Sequence, residues 1–159
     1  MCNKQMDSLI DWLLKFCNDL HIMVIDSSTW SNNWPSRSLA SLKLIYYNSN
    51  WNPSYELPMS LAHEMGHVIT KSPDYNPLNT GAFNLKIENR ANLVAAQLIL
   101  KYIRLHDLCF ETEMQLAKTI VIHNEMLMKL DIAVKHQAKL RIFPNSTKLS
   151  NGGRFSLSL

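Results

Sequence analysis

Cysteine is scarce and scattered in this chain: Cys2, Cys17 and Cys109 are the whole set in 159 residues. An odd number at such spacing gives no disulfide framework, and with no Cys-x-x-Cys pair, free thiols of a cytoplasmic protein are expected. Long apolar runs are missing as well. The longest uncharged one, near Leu93 to Leu100, is far too short to cross a bilayer. Asp7 and Asp11 interrupt the apolar residues of the N-terminal stretch and no small-residue cleavage site follows, which argues against a signal peptide. Charge of one sign is only weakly in excess, at +3 overall, with a basic lean in Lys129, Lys135, Lys139, Arg141, Lys148 and Arg154. No aromatic residues interleave those cations as a single-strand-binding surface requires, so they read as a solvated face and nucleic acid is not an expected partner. No internal repeat is visible. What remains is globular: the hydrophobic content is 47%, and the length suits one domain large enough to bury a core.

Periodicity organises the chain. Met6, Leu9, Ile10, Leu13, Cys17 and Leu20 fall on one side of a helix over residues 6 to 20. Ile22 to Ile25 is a short strand candidate and Leu42 to Asn48 a better one. Asp26 to Ser38, rich in Ser and Asn with Trp30, Trp34 and Pro35, reads as a loop whose tryptophans either cover the core or rim a cleft. Residues 71 to 81 form a second loop. Beyond Cys109, Met114–Lys118 and Met126–Leu130 suggest two helices with a faint helix-turn-helix spacing, and residues 144 to 159 read as a flexible tail.

The most informative residues are His63-Glu64-Met65-Gly66-His67, an HExxH motif. Histidines four apart share one helical face, so their ring nitrogens can converge on one zinc ion. Glu64 sits roughly 100° further round the helix and can reach a water on that metal without ligating it. An amphipathic helix with two surface histidines is the plainer alternative. Pro58 suits the first turn, Leu61, Met65, Val68 and Ile69 supply an apolar side, and the residues before Pro73 end the helix. Gly66 is costly inside a helix and suggests that another backbone comes close.

Catalytic zinc usually takes three protein ligands and a water. The best third ligand is Glu88, opening an Ala- and Leu-rich helical stretch over Ile87–Leu100. Ala91, Ala95 and Ala96 are small enough to let that helix lie close to the motif helix. Asn92, four residues after Glu88, can take the spare N–H of a ligating histidine and fix its tautomer. Against this, Glu88 suits a solvated first turn and Asn92 a partly exposed face. The tetrahedral oxyanion needs a donor besides the metal, for which Tyr46, Tyr47, His106 and His123 are available. The strand at Leu42 to Asn48 would pair with an extended substrate if its edge is free.

Leu44–Asn48, Leu61–Ile69, and Glu88–Asn92 followed by Val94–Ile99 together resemble the ImmA/IrrE family of zinc peptidases, over roughly residues 40 to 100 with a weaker echo to about residue 132. The resemblance implies His63, His67 and Glu88 as zinc ligands and Glu64 as catalytic base. It implies a zinc endopeptidase acting on a helix-turn-helix repressor of a mobile element or stress response. One departure is visible: the family often closes its second helix with Met-Pro, whereas Leu100-Lys101-Tyr102 runs on here. A metal-loaded module that inactivates a repressor by contact, without cutting it, is the alternative, and a DNA-binding regulator a third. The expected architecture is α+β, a zincin-like core over residues 1 to 143. It holds a small antiparallel or mixed sheet, an HExxH helix, a Glu-bearing helix and a helical C-terminal part from residue 109.

Overall fold

A computed structural model describes residues 3–74 and 81–108. The expected loop residues 75 to 80, the helices placed after Cys109 and the tail from residue 144 lie outside the described residues. Within them the chain is α+β, with three helices and one small mixed sheet.

Helix α1 (Asn3–Asp19) forms because Leu9, Leu13 and Cys17 recur every four residues. All three are essentially fully buried, as that spacing on one helical face requires. The turn that ends it carries His21 at φ 55°. Ile22 N–H bonds back to Cys17 C=O at 2.9 Å, the six-to-one closure of a helix with a left-handed residue after its cap. Helix α2 (Leu57–Ile69) ends the same way, with Lys71 at φ 51° and Ser72 N–H on His67 C=O at 2.9 Å. Helix α3 (Gly81–Leu105) repeats it with Asp107 at φ 47° and Leu108 N–H on Ile103 C=O at 3.0 Å. None of the three left-handed positions is glycine, so each holds a side chain in a conformation that costs about 1–2 kcal/mol.

Three strands follow the order β1–β3–β2. Strand β1 (Met23–Asp26) runs parallel to β3 (Leu44–Tyr47), and β2 (Arg37–Leu39) runs antiparallel to it. Ile45 and Tyr47 face the helices and are buried, while Met23 and Ile25 are exposed on the opposite face, the two-residue alternation of a strand. The strand expected over Leu42 to Asn48 is shorter, because a 3-10 turn occupies Ala40–Leu42 and Lys43 takes φ 49°. β3 is the central strand with both edges paired, so it offers no edge to a substrate; the edge strand beside α2 is β2. The end of the segment read as a loop, Arg37 and Ser38, therefore belongs to a strand. Its short Arg-Ser-Leu run has no alternation to reveal it and owes its extension to pairing with β3.

Asn48 organises the loop between β1 and β2. Fully buried, it donates from Nδ2 to Ser31 C=O and Trp34 C=O, each at 2.8 Å, and accepts from Asn50 N–H at 3.1 Å. Its own N–H bonds to Ser36 Oγ at 3.1 Å, and Ser36 Oγ also meets Ser60 Oγ of α2 at 3.1 Å. Buried polar groups satisfied this fully fix one loop conformation.

The most extensive packing is between α2 and α3. A Cβ added to Gly66 would lie 2.8 Å from Ala91 Cα and 2.9 Å from Ala91 C, closer than side-chain carbons approach. Gly66 thus admits the backbone of α3, as its cost inside a helix suggested. Ala91, Ala95 and Ala96 are fully buried on the facing side, with Leu61, Ala62 and Met65 of α2 beneath them. Helix α3 continues past Leu100 to Leu105, so the missing Met-Pro pair corresponds to a longer helix. Among the described residues no helix is long and apolar enough to cross a membrane.

Candidate metal centre

The close α2–α3 approach brings three ligating side chains together. His63 Nε2 and His67 Nε2 lie 3.1 Å apart, and Glu88 Oε2 is 3.2 Å from the first and 3.6 Å from the second. Four-coordinate zinc with bonds of about 2.0–2.1 Å separates neighbouring ligand atoms by roughly 3.3 Å. The triangle brackets that spacing, and its two imidazoles and one carboxylate are the donor set zinc favours, so the residues fit a zinc ion.

Asn92 Oδ1 stands 2.6 Å from His63 Nδ1. Since Asn92 follows Glu88 by one helical turn, α3 supplies both a candidate ligand and the group that orients His63. A proton held on Nδ1 leaves the Nε2 lone pair free for metal. Burial alone would pull His63 below its ordinary 6.5, but Glu88, Glu64 and Asn92 outweigh it and hold the imidazole above that value. The same contacts, from His63 first and then His67, keep Glu88 well below the usual carboxylate range. A dication held between these groups would take the place of the proton that His63 otherwise shares with Glu88.

Glu64 stands apart from the triangle. Ser38 Oγ of β2 donates to its Oε2 at 2.6 Å, and burial raises the carboxyl above its ordinary pKa despite Ser38 and the nearby histidines. An open cleft of about 520 Å³ runs past these groups, walled by Trp30, Ser38, Tyr46, Glu64, His67 and Glu88 among others. The turn closing α2 sends Ser72, Pro73 and Asp74 along its side, where Asp74 accepts a hydrogen bond from Ser41 Oγ.

Of the four candidate oxyanion donors, Tyr46 lines the cleft. Tyr47 is buried in the core. His106 packs on Tyr102 one turn away at the end of α3, with ring centroids 4.1 Å apart. His123 lies outside the described residues. Ser38 and Asn48 were missed from sequence, because a serine in a Ser-rich loop and an asparagine at a strand end carry no local signal of what they touch. Cys17 is a core residue whose thiol burial pushes up to about 12, so it stays protonated and unreactive.

A small mixed sheet against a helix pair that presents two histidines and a glutamate at metal-binding distances is the architecture of a metallopeptidase core. The chain belongs to the family of the IrrE N-terminal-like domain, a peptidase family whose model matches residues 17–129. No curated protein and no solved structure matches the chain.

Proposed function

We propose that the protein is a zinc-dependent endopeptidase and that its substrate is a helix-turn-helix transcriptional repressor. The observation that carries the enzymatic reading is Glu64, a half-buried carboxylate beside the His63–His67–Glu88 triangle but not in it, steadied by Ser38. The repressor follows from the resemblance to the ImmA/IrrE peptidases.

His63, His67 and Glu88 would hold the metal, and Asn92 keeps His63 in the tautomer that could do so. A zinc ion held there would supply the Lewis acidity that peptide hydrolysis needs. Ser38 engages Glu64 Oε2, so Oε1 is the oxygen that takes the proton from the attacking water and passes it to the leaving nitrogen. Burial strengthens that base by disfavouring its charged form. An extended peptide has the edge of β2 that no described strand occupies to pair with, one strand spacing from Ser38, which itself touches Glu64.

Glu64→Gln keeps the shape and the Ser38 contact but cannot accept the proton. Incubated with a repressor substrate and read by mass spectrometry, wild type is expected to give discrete fragments. The variant should keep its metal and give none. Relief of repression by Glu64→Gln with the repressor intact would replace this reading with the contact-only module.

A further inference from the structure

We propose that Arg37, set among Trp30 and Tyr46, forms a subsite that selects an acidic side chain close to the scissile bond; this rests on the peptidase reading above. Strand alternation separates the residues of β2. Ser36 and Ser38 turn toward the helices, the first meeting Ser60 and the second Glu64. Arg37 therefore lies on the other face, in register with Tyr46, whose ring stacks on Trp30 with centroids 6.0 Å apart at 22°. The cleft reaches both faces, since Glu64 and His67 line it together with Trp30, Arg37 and Tyr46.

Charge singles out Arg37. It is exposed, it is the one lysine or arginine among the described cleft-lining residues, and no described carboxylate lies within ion-pair distance of it. The carboxylates of the cleft are committed elsewhere: Glu88 to the histidines, Glu64 to Ser38 and Asp74 to Ser41. A guanidinium against aromatic walls suits a carboxylate, which it can grip through two parallel N–H bonds. Its place along the strand sets the subsite. Arg37 is one residue, about 3.3 Å, from Ser38. A peptide paired to the edge of β2 that no described strand occupies alternates its side chains between the same two faces. Its residue beside Arg37 is then next to the one held at Glu64, which places the acidic side chain within about two positions of the cut.

The test uses full-length, zinc-loaded Glu64→Gln protein, which separates binding from turnover. Fluorescein-labelled alanine-based peptides carry Glu, Gln or Lys at each position in turn, and anisotropy reads their affinity. At one or two adjacent positions Glu is expected to bind roughly three- to tenfold tighter than Lys, the scale of a partly solvated ion pair against its repulsive counterpart, and less so at high salt. Adding Arg37→Gln should erase the preference and Arg37→Glu should reverse it. Peptides that bind without regard to charge, or a preference for Glu that survives Arg37→Gln, would overturn the subsite while leaving the peptidase reading intact. Zinc-loaded protein that binds none of the peptides would overturn both.

Discussion

The two walls of the cleft are built by different means. One is the α2–α3 pair, where apolar periodicity and small residues bring two backbones together at Gly66 and Ala91 and so fix three ligand atoms within 4.8 Å of one another. The other is the segment from Ser27 to Leu39, which has little apolar content and is held by hydrogen bonds converging on Asn48 and Ser36. The first wall provides the candidate metal site, and the second provides the Ser38 contact to Glu64 and the open face bearing Trp30 and Arg37. The metal centre therefore depends on packing, and the substrate side depends on buried polar contacts. Substitutions that act on one wall alone should separate metal binding from substrate handling.

The largest separation is expected at Gly66. Gly66→Ala drives a methyl group into the Ala91 backbone, so α3 must shift and carry Glu88 and Asn92 with it. Overpacking of this kind costs about 1–3 kcal/mol, less the roughly 1 kcal/mol that alanine returns as a helix former. Metal affinity should fall by about 100-fold or more, beyond the usual span for losing one hydrogen bond to a ligand. Chelator competition and thermal unfolding measure the two effects. Unchanged affinity would mean that the close approach does not set the site.

Asn92→Ala comes next. It leaves the packing alone and removes the acceptor for His63 Nδ1, so zinc affinity should weaken by about 10–100-fold with little change in stability. Asn48→Ala addresses the other wall. Leaving Ser31 and Trp34 carbonyls without their donor should cost about 1–3 kcal/mol of stability. Zinc affinity should stay the same, because the triangle does not rest on this loop. Loss of metal in Asn48→Ala would merge the two walls into one unit.

The same contrast explains what could be read from sequence. The helices were legible because burial imposes a period of 3.6, and Gly66, Glu88 and Asn92 stand at spacings that fit a helix pair around a metal. Helix ends were less so. Pro73 marks the end of α2, but the residues that close the three helices are His21, Lys71 and Asp107, which carry no glycine signature. Strand β2 left no trace because three residues cannot display a period, and its extension depends on β3 and on Ser36 and Ser38. Glu64, the proposed base, stands out in the sequence by its place in the motif. Its partner Ser38 does not, since a contact 26 positions away has no local signature.

Metal content against pH tests the central claim most directly. His63 and His67 must be neutral to ligate, and the metal-free protein holds His63 protonated to a pH above 6.5. Protons therefore compete with the metal for His63 more strongly than for an ordinary imidazole, and occupancy should fall as pH drops. The metal-free fold should show the opposite slope. A raised histidine pKa contributes stability that is full below about 6.5 and is lost as pH rises through the folded-state value. Elemental analysis of purified wild type near pH 8 is predicted to find about one zinc per chain, as a single closed triangle of ligands requires. His63→Ala and Glu88→Ala should hold little or none. Equal zinc in wild type and both variants would contradict the account.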